Sequence, residues 1–461
     1  MERTKGRIIT RDKSFYVNLV MLAIPIALQN LVTFLVNMAD NVMIGTLGDD
    51  AISGVYMGGQ LQTVIQMFIG GIEGAVGILS AQYWGKKDIK SIKKIVSVGA
   101  AFALGFGVIF TLAATIFPRA IILIFTREVN VVENGTIYLG IVGFSYIFFS
   151  VTQVSIASMR SVETAKIGLY VSLMALFVNV GLNYLFIFGV EGIIPRMEVK
   201  GAAIATLISR IIECTVVLFY VRFKDKKLKL RFKELLKFDK VIAADFIKYG
   251  IPLVGGQVVW SVNMLANSMI LGRYSAGVMA AVSIAGMLSN LAYVFLNGLS
   301  GAVGVITGKT VGQGLFEKMK EYARTVQVMF LFVGILTGLG VYLIKSPFIS
   351  LYNTSEESLM YANQFINVLA VTTVGTCYQA ASLFGLVKSG GDISFVFKND
   401  SIFVFCVVLP SAIISSFLGA PPWVVYACLK CDQILKCFVA VVKINRFNWM
   451  KNLTRETSDS Q

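Results

Sequence analysis

Residues 25–45, PIALQNLVTFLVNMADNVMIG, and residues 252–272, PLVGGQVVWSVNMLANSMILG, are apolar runs of helix length that come into register when the chain is shifted on itself by 227 positions. Pro25 then meets Pro252, Gly45 meets Gly272, and Asp40 meets Asn267. The register holds without a gap through the next run, where Gly71 meets Gly298, Gly85 meets Gly312, Lys93 meets Lys320, and GAVG at 74–77 meets GAVG at 301–304. Later in the halves Pro118 meets Pro347 at a shift of 229, and Arg160 meets Lys388 at 228. Self-similarity over this length means one structural template used twice.

The composition says what kind of template. Of 461 residues, 56% are apolar and only 15% charged, with 42 Gly and a mean hydropathy of +0.74. A soluble domain carries about 25% charge, so the chain is read as a polytopic membrane protein. Runs long enough to cross about 30 Å of hydrocarbon recur twelve times. They cover approximately 15–44, 51–81, 95–117, 134–158, 167–189, 201–221, 243–271, 278–308, 325–345, 359–387, 401–418 and 422–442. Runs this apolar satisfy their backbone in lipid as helices. The expected fold is all-α: twelve transmembrane helices in two six-helix bundles. Six is even, so the two copies insert in the same direction and are related by a pseudo-two-fold axis along the membrane normal. The expected organisation is an N-terminal bundle at 1–221, a basic linker at 222–240, a C-terminal bundle at 241–445 and a tail at 446–461.

The formal charge of +15 would suggest nucleic acid in a soluble protein; here it reports topology. The terminal segments and the loops on their side carry 31 of the 41 Lys and Arg, whereas the opposite loops carry 6. The positive-inside rule places both termini of a multi-pass protein in the cytoplasm of a cell membrane. No nucleic-acid partner is expected, only membrane lipid around a monomer. The densest stretch, RFKDKKLKLRFKELLKFDK at 222–240, is read as a solvated linker. The basic N-terminus leads into an apolar run without a small-residue cleavage site, so the first span is expected to stay.

Other chemistries are narrowed by what is missing. The absence of His removes His-ligated metals, Ser/His/Asp catalysis and imidazole proton relays. The six Cys lie in apolar segments and read as buried thiols; the CxxC of Cys428 and Cys431 has no second ligand pair. No GxxxxGK[ST] is present, so the energy for transport must come from a gradient. Neither an enzyme nor a cofactor is expected, and protons, if they matter, ride on carboxylates.

A carboxylate within the hydrocarbon region costs about 2.5–3.5 kcal/mol on insertion scales and marks a functional candidate. Gln29, Thr33, Asn37 and Asp40 form one polar stripe on the first span, which also holds Pro25, a hinge beside a titratable group. Asn179 and Asn183 present two amides from one face of the fifth span. Oxygen ligands from Asp40, Asn179, Asn183 and Thr206 suit a sodium ion, whereas a proton needs only Asp40. On the seventh span Gln257, Trp260, Asn263 and Asn267 repeat the stripe without the charge. Of the remaining acids, Asp432 is expected to pair with Lys436 and Glu213 with Arg210, while Glu73 sits in the Gly-rich IGGIEGAVG.

At this point the chain resembles a known family, the multidrug and toxic compound extrusion (MATE) transporters. The carrying motifs are AIPIALQNLVTFLVNMADNVMIGTLG, FVNVGLNYLFIFG followed by KGAAIATLIS, the repeated GAVG, and MRSVETAK matched by VKSGGD. The resemblance implies a cation-coupled antiporter that expels amphipathic, often cationic compounds against Na+ or H+. It makes Asp40 the coupling acid, with Asn179, Asn183 and Thr206 as its neighbours. Asn183 resembles the NorM-like rather than the DinF-like form. Where the NorM-like branch has acids in the seventh and tenth spans, this chain offers Gln257 and Thr376, so coupling rests on Asp40.

The expected function is multidrug efflux by alternating access of a central cleft, lined by residues such as Gln29, Phe34, Asn37, Tyr56, Tyr146, Phe149, Gln257, Trp260, Asn263, Met264 and Asn267. The alternative is a flippase for a lipid-linked sugar or lipid precursor of the same superfamily; twelve spans and few intramembrane Arg or Lys favour the exporter.

Overall fold

The structure, a computed structural model, describes residues 9–190, 192–231, 234, 238–352 and 354–455. It is helical, with an isolated bridge between Val190 and Ile194 and no β-strand among the described residues. Among the described residues twelve helical segments follow one another, with a short helix at Pro118–Ile122 between the third and the fourth. They are α1 (Lys13–Gly45), α2 (Asp49–Gly85), α3 (Ile89–Ile116), α4 (Val129–Val142 and Ser145–Ser161), α5 (Lys166–Phe188) and α6 (Glu198–Lys224). The second set comprises α7 (Lys240–Leu271), α8 (Ala276–Gly312), α9 (Phe316–Ile349), α10 (Glu356–Lys388), α11 (Ile393–Phe417) and α12 (Pro422–Lys430 and Asp432–Asn445).

Among the described residues nine helices are long and apolar enough to cross a membrane, or ten when the two pieces of α4 are taken as one span bent by 51°. The other two, α7 and α12, carry the polar residues Gln257, Asn263 and Asn267, and Asp432 and Lys436. The α4 bend lies at Gly143, whose carbonyl accepts a hydrogen bond from the Thr111 hydroxyl at 2.9 Å, so the polar group freed by the bend is satisfied inside the protein.

The chain divides into two compact units, an N unit of Leu28–Val254 and a C unit of Met1–Ala27 with Gly255–Gln461. Both divisions fall inside a continuous helix, two residues beyond Pro25 in α1 and two beyond Pro252 in α7. The repeat explains two of its own glycines here. In the N unit a Cβ on Gly71 would stand 2.9 Å from the Val254 backbone nitrogen, and in the C unit a Cβ on Gly298 would stand 2.6 Å from the Ala27 nitrogen. Positions 71 and 298, like 27 and 254, are partners at the 227 shift. Each unit therefore keeps a glycine where two helix backbones touch. A GxxxG pair does the same between α9 and α10, where a Cβ on Gly334 would lie 2.8 Å from the Val374 carbonyl oxygen and one on Gly338 would lie 2.5 Å from that of Ala370.

Within the stretch read as a solvated linker, the described residues 225–230 are packed on one side. Leu228 and Leu230 are buried, and Asp225, buried as well, accepts from the backbone N–H groups of Lys227, Leu228 and Lys229. Lys227 donates to the carbonyls of Val162 and Glu163, and Lys93 and Lys94 pair with Glu234 and Asp239. Alternating Leu among the Lys gives the segment an apolar side that composition alone hides. In the C unit the final segment is held similarly: Trp449 is fully buried, and Lys451 pairs with Asp392 at 2.7 Å.

Candidate functional site

The site in the N unit begins with α5. Asn179 and Asn183 are one helical turn apart, and both are buried. The Asn183 Nδ2 group donates to Asp40 Oδ1 at 2.5 Å and to Asn179 Oδ1 at 3.2 Å, so one amide ties the three side chains together. The helix widens to π geometry at Tyr184–Phe188, directly after Asn183, and stops at Gly189, whose φ is 77°. Met197 N–H then donates to the Phe186 carbonyl at 2.9 Å, which returns the chain to start α6. Ile44, Val55, Ile187 and Ala202 form an apolar cluster that fixes the ends of α1, α2, α5 and α6 around this turn.

Among the described residues Thr206 is not a hydrogen-bond partner of Asp40; it stands beside Tyr138, which lies within electrostatic reach of Asp40. Tyr138 and Arg210 are the members that reading the sequence did not attach to the site. Arg210 Nη1 binds Glu213 at 2.7 Å, as the i,i+3 spacing predicts, but the guanidinium also stacks 5.5 Å from the Phe149 ring centroid and acts on both Asp40 and Tyr138. The spacing of Arg210 and Glu213 signals their pairing; nothing in the sequence signals that the same cation is within electrostatic reach of a carboxylate 170 positions earlier.

The geometry allows two chemistries. The Asn183 Oδ1 atom is buried without a hydrogen-bond partner among the described residues. With Asn179 Oδ1 and the Asp40 carboxylate it offers oxygen donors to a hard cation. A proton requires only Asp40. Among the described residues no three His, Cys, Asp or Glu converge as ligands for a metal ion.

The other candidates scatter. Gln29 is buried against Gly168, with its Oε1 unpartnered among the described residues. Tyr146 and Phe149 are buried in the N unit and act there as packing, Phe149 under Arg210. Asn37 and Tyr56 are exposed, and Phe34 is half-buried. In the C unit Trp260 and Met264 are exposed, whereas Asn263 and Asn267 each carry a buried oxygen without a partner among the described residues. Thr376, in the tenth span, donates to Gln433 Oε1 at 2.9 Å. Glu73 pairs with Arg160 at 3.4 Å.

The C unit contains charges that the sequence reading left out. Helix α11 starts at Ile393, eight residues before the expected span, and carries Asp400 into the interior. Lys436 Nζ lies 2.9 Å from Asp400 Oδ1 and 2.9 Å from Asp432 Oδ2, with only 7% of its side chain exposed. The i,i+4 pair of Asp432 and Lys436 is thus a triad.

Helical membrane segments, a doubled template and a half-buried carboxylate bonded to an amide define a polytopic transporter rather than an enzyme. The MatE family model matches the chain twice, over residues 25–185 and 252–422, so its two copies begin at the two repeated prolines. The chain belongs to this family of multidrug and toxic compound efflux transporters. It is 22% identical to the probable multidrug resistance protein YoeA of Bacillus subtilis, over 80% of this chain and 81% of that one. It is 25% identical to the probable multidrug resistance protein NorM of Thermotoga maritima, over 77% of this chain and 75% of the other. A crystal structure of a MATE protein in complex with MaL6 superposes with a TM-score of 0.84 at 17% identity, covering 93% of this chain and 96% of that one. Structures of this kind have twelve helices in two bundles, which is the fold described above.

Proposed function

We propose that the protein is a secondary antiporter of a cell membrane, exporting amphipathic or cationic organic compounds in exchange for Na+ or H+, with Asp40 as the coupling acid. The observation that supports this most directly is the Asp40–Asn183–Asn179 cluster inside the N unit. A carboxylate in such a place is costly to keep unless it binds something in one state and releases it in another. An inward-moving cation would neutralise Asp40, alter its bond to Asn183 and favour release of the organic compound. Both exchange partners would gain access to the two sides of the membrane in turn. The protein works as a monomer with both termini in the cytoplasm, without a resident cofactor.

The test is efflux of a fluorescent organic cation from proteoliposomes under an imposed sodium gradient and, separately, a pH gradient, comparing wild type with Asp40→Asn. Loss of gradient-driven transport in the variant supports the assignment, and the gradient that drives the wild type names the ion. Undiminished transport by Asp40→Asn overturns it. Lipid flipping without movement of any organic cation assigns the chain to the flippase reading instead.

A further inference from the structure

Two adjoining cavities lie wholly within the C unit. The larger, about 650 Å³, is a groove open to the outside between α10 and α12, walled mainly by apolar side chains, among them Val368, Ile434 and the exposed Val371 and Trp423. The smaller, about 10 Å³, has room for one water or one carboxylate oxygen and is lined by polar groups of α8, α10 and α12, including Ser289, Tyr293, Thr376, Gln433 and Lys430. Thr372 lines both, so the polar pocket stands at one end of the apolar chamber.

Lys430 is the one charged side chain among their lining residues. Neither set of lining residues includes Asp or Glu. Lys430 makes no hydrogen bond or ion pair among the described residues; its ammonium stands 5.9 Å from the Tyr426 ring centroid. Asp432 is within electrostatic reach of Lys430, but that carboxylate is held by Lys436 at 2.9 Å, and Lys436 also serves Asp400. A second cation, Lys345, donates at 2.7 Å to Asn367, which lines the large chamber. Lipid tails alone do not account for this wall, since Gln364 and Asn367 lie on it and Gln364 Oε1 is buried without a partner among the described residues.

We propose that these two cavities form a binding subsite for amphipathic organic anions or zwitterions, in which an aromatic or aliphatic body fills the apolar chamber and a carboxylate accepts hydrogen bonds from the Lys430 ammonium. A chamber of this volume matches a drug-sized body, and a charge-assisted hydrogen bond from a poorly solvated ammonium is a strong anchor for the acid group. The inference names a substrate class for the transporter proposed above and rests on that reading. It concerns α8, α10 and α12 and does not involve Asp40.

The test measures binding alone, with no gradient and no transport, so its failure is separable from a failure of the antiporter reading. Equilibrium dialysis of the full-length protein in detergent at pH 7 compares tritiated 2-naphthoate with its methyl ester and its primary amide. The wild type is expected to bind the carboxylate at least tenfold more tightly than either neutral probe. Lys430→Gln should bring the three to within about twofold, and Lys430→Arg should keep most of the preference. Ala427→Trp, which narrows the large chamber, should weaken all three probes together. Equal binding of acid and amide by the wild type overturns the proposal, as does a preference that survives in Lys430→Gln.

Discussion

The interiors of the two units treat buried charge differently. In the N unit Asp40 is held by one neutral amide, that of Asn183, with Arg210 near it but engaged by Glu213. In the C unit the corresponding position is Asn267, and the acids, Asp400 and Asp432, have moved to α11 and α12, where one ammonium clamps both. A carboxylate bonded to an amide can exchange its proton or a cation without breaking an ion pair. A carboxylate bound to a buried ammonium cannot, because removing either charge strands the other. One template has thus yielded a site suited to exchange and a site suited to permanence.

The largest effect should come from neutralising each in turn. Asp40→Asn is expected to lower gradient-driven efflux at least tenfold, whereas Asp400→Asn should leave it within about threefold, read as initial rates in the same proteoliposomes. Equal losses would break the comparison and make the C unit part of the coupling.

Stability should rank the other way. Lys436→Met leaves two buried carboxylates without their counter-ion and is expected to cost about 3–5 kcal/mol, seen as a large drop in the thermal midpoint in detergent. The double variant Lys436→Met/Asp400→Asn should recover part of that loss. A midpoint unchanged by Lys436→Met would mean that the triad is not what holds α11 to α12.

A smaller loss is expected from steric change that leaves charge alone. Gly338→Leu would press on the Ala370 carbonyl of α10 and should cost roughly 1–3 kcal/mol, while Gly340→Leu, a site with open space, should cost little. Matching midpoints for the two would show that the α9–α10 crossing can relax.

The least effect belongs to Asp12, at the start of α1. Hydrogen bonds from Lys318, Ser14 and Tyr322 hold its carboxyl well below the usual carboxylate range. Because the folded value is depressed, its stabilisation is present above the unfolded value and is lost only as pH falls below about 4. Asp12→Asn should therefore cost about 0.5–1 kcal/mol at pH 7 and less as the pH falls through 4 toward 2, checked by thermal midpoints of both proteins over that range.

The helices were the most legible feature. Every expected span has a helix over it, because lipid leaves the backbone no other way to satisfy itself. Helix ends were less legible: VFKND at 396–400 looks like a loop because it is polar, yet Lys436, on the next helix, compensates Asp400 and lets α11 begin at Ile393. The i,i+4 amides of Asn179 and Asn183 were visible, and so was Asp40 as an intramembrane acid. That one Asn183 amide would join them, with Tyr138 and Arg210 beside it, was not, since those residues come from α1, α4, α5 and α6.

The sequence by itself determined that this protein is a doubled set of membrane helices with one acid on its first polar stripe. Hydrophobic runs, loop charge and a 227-residue repeat are properties of the chain, readable without knowing what touches what. Only the tertiary structure decided which charges are neutralised and which remain available. Whether a buried Asp meets an amide or an ammonium depends on residues tens to more than a hundred positions away, and local pattern carries no information at that range.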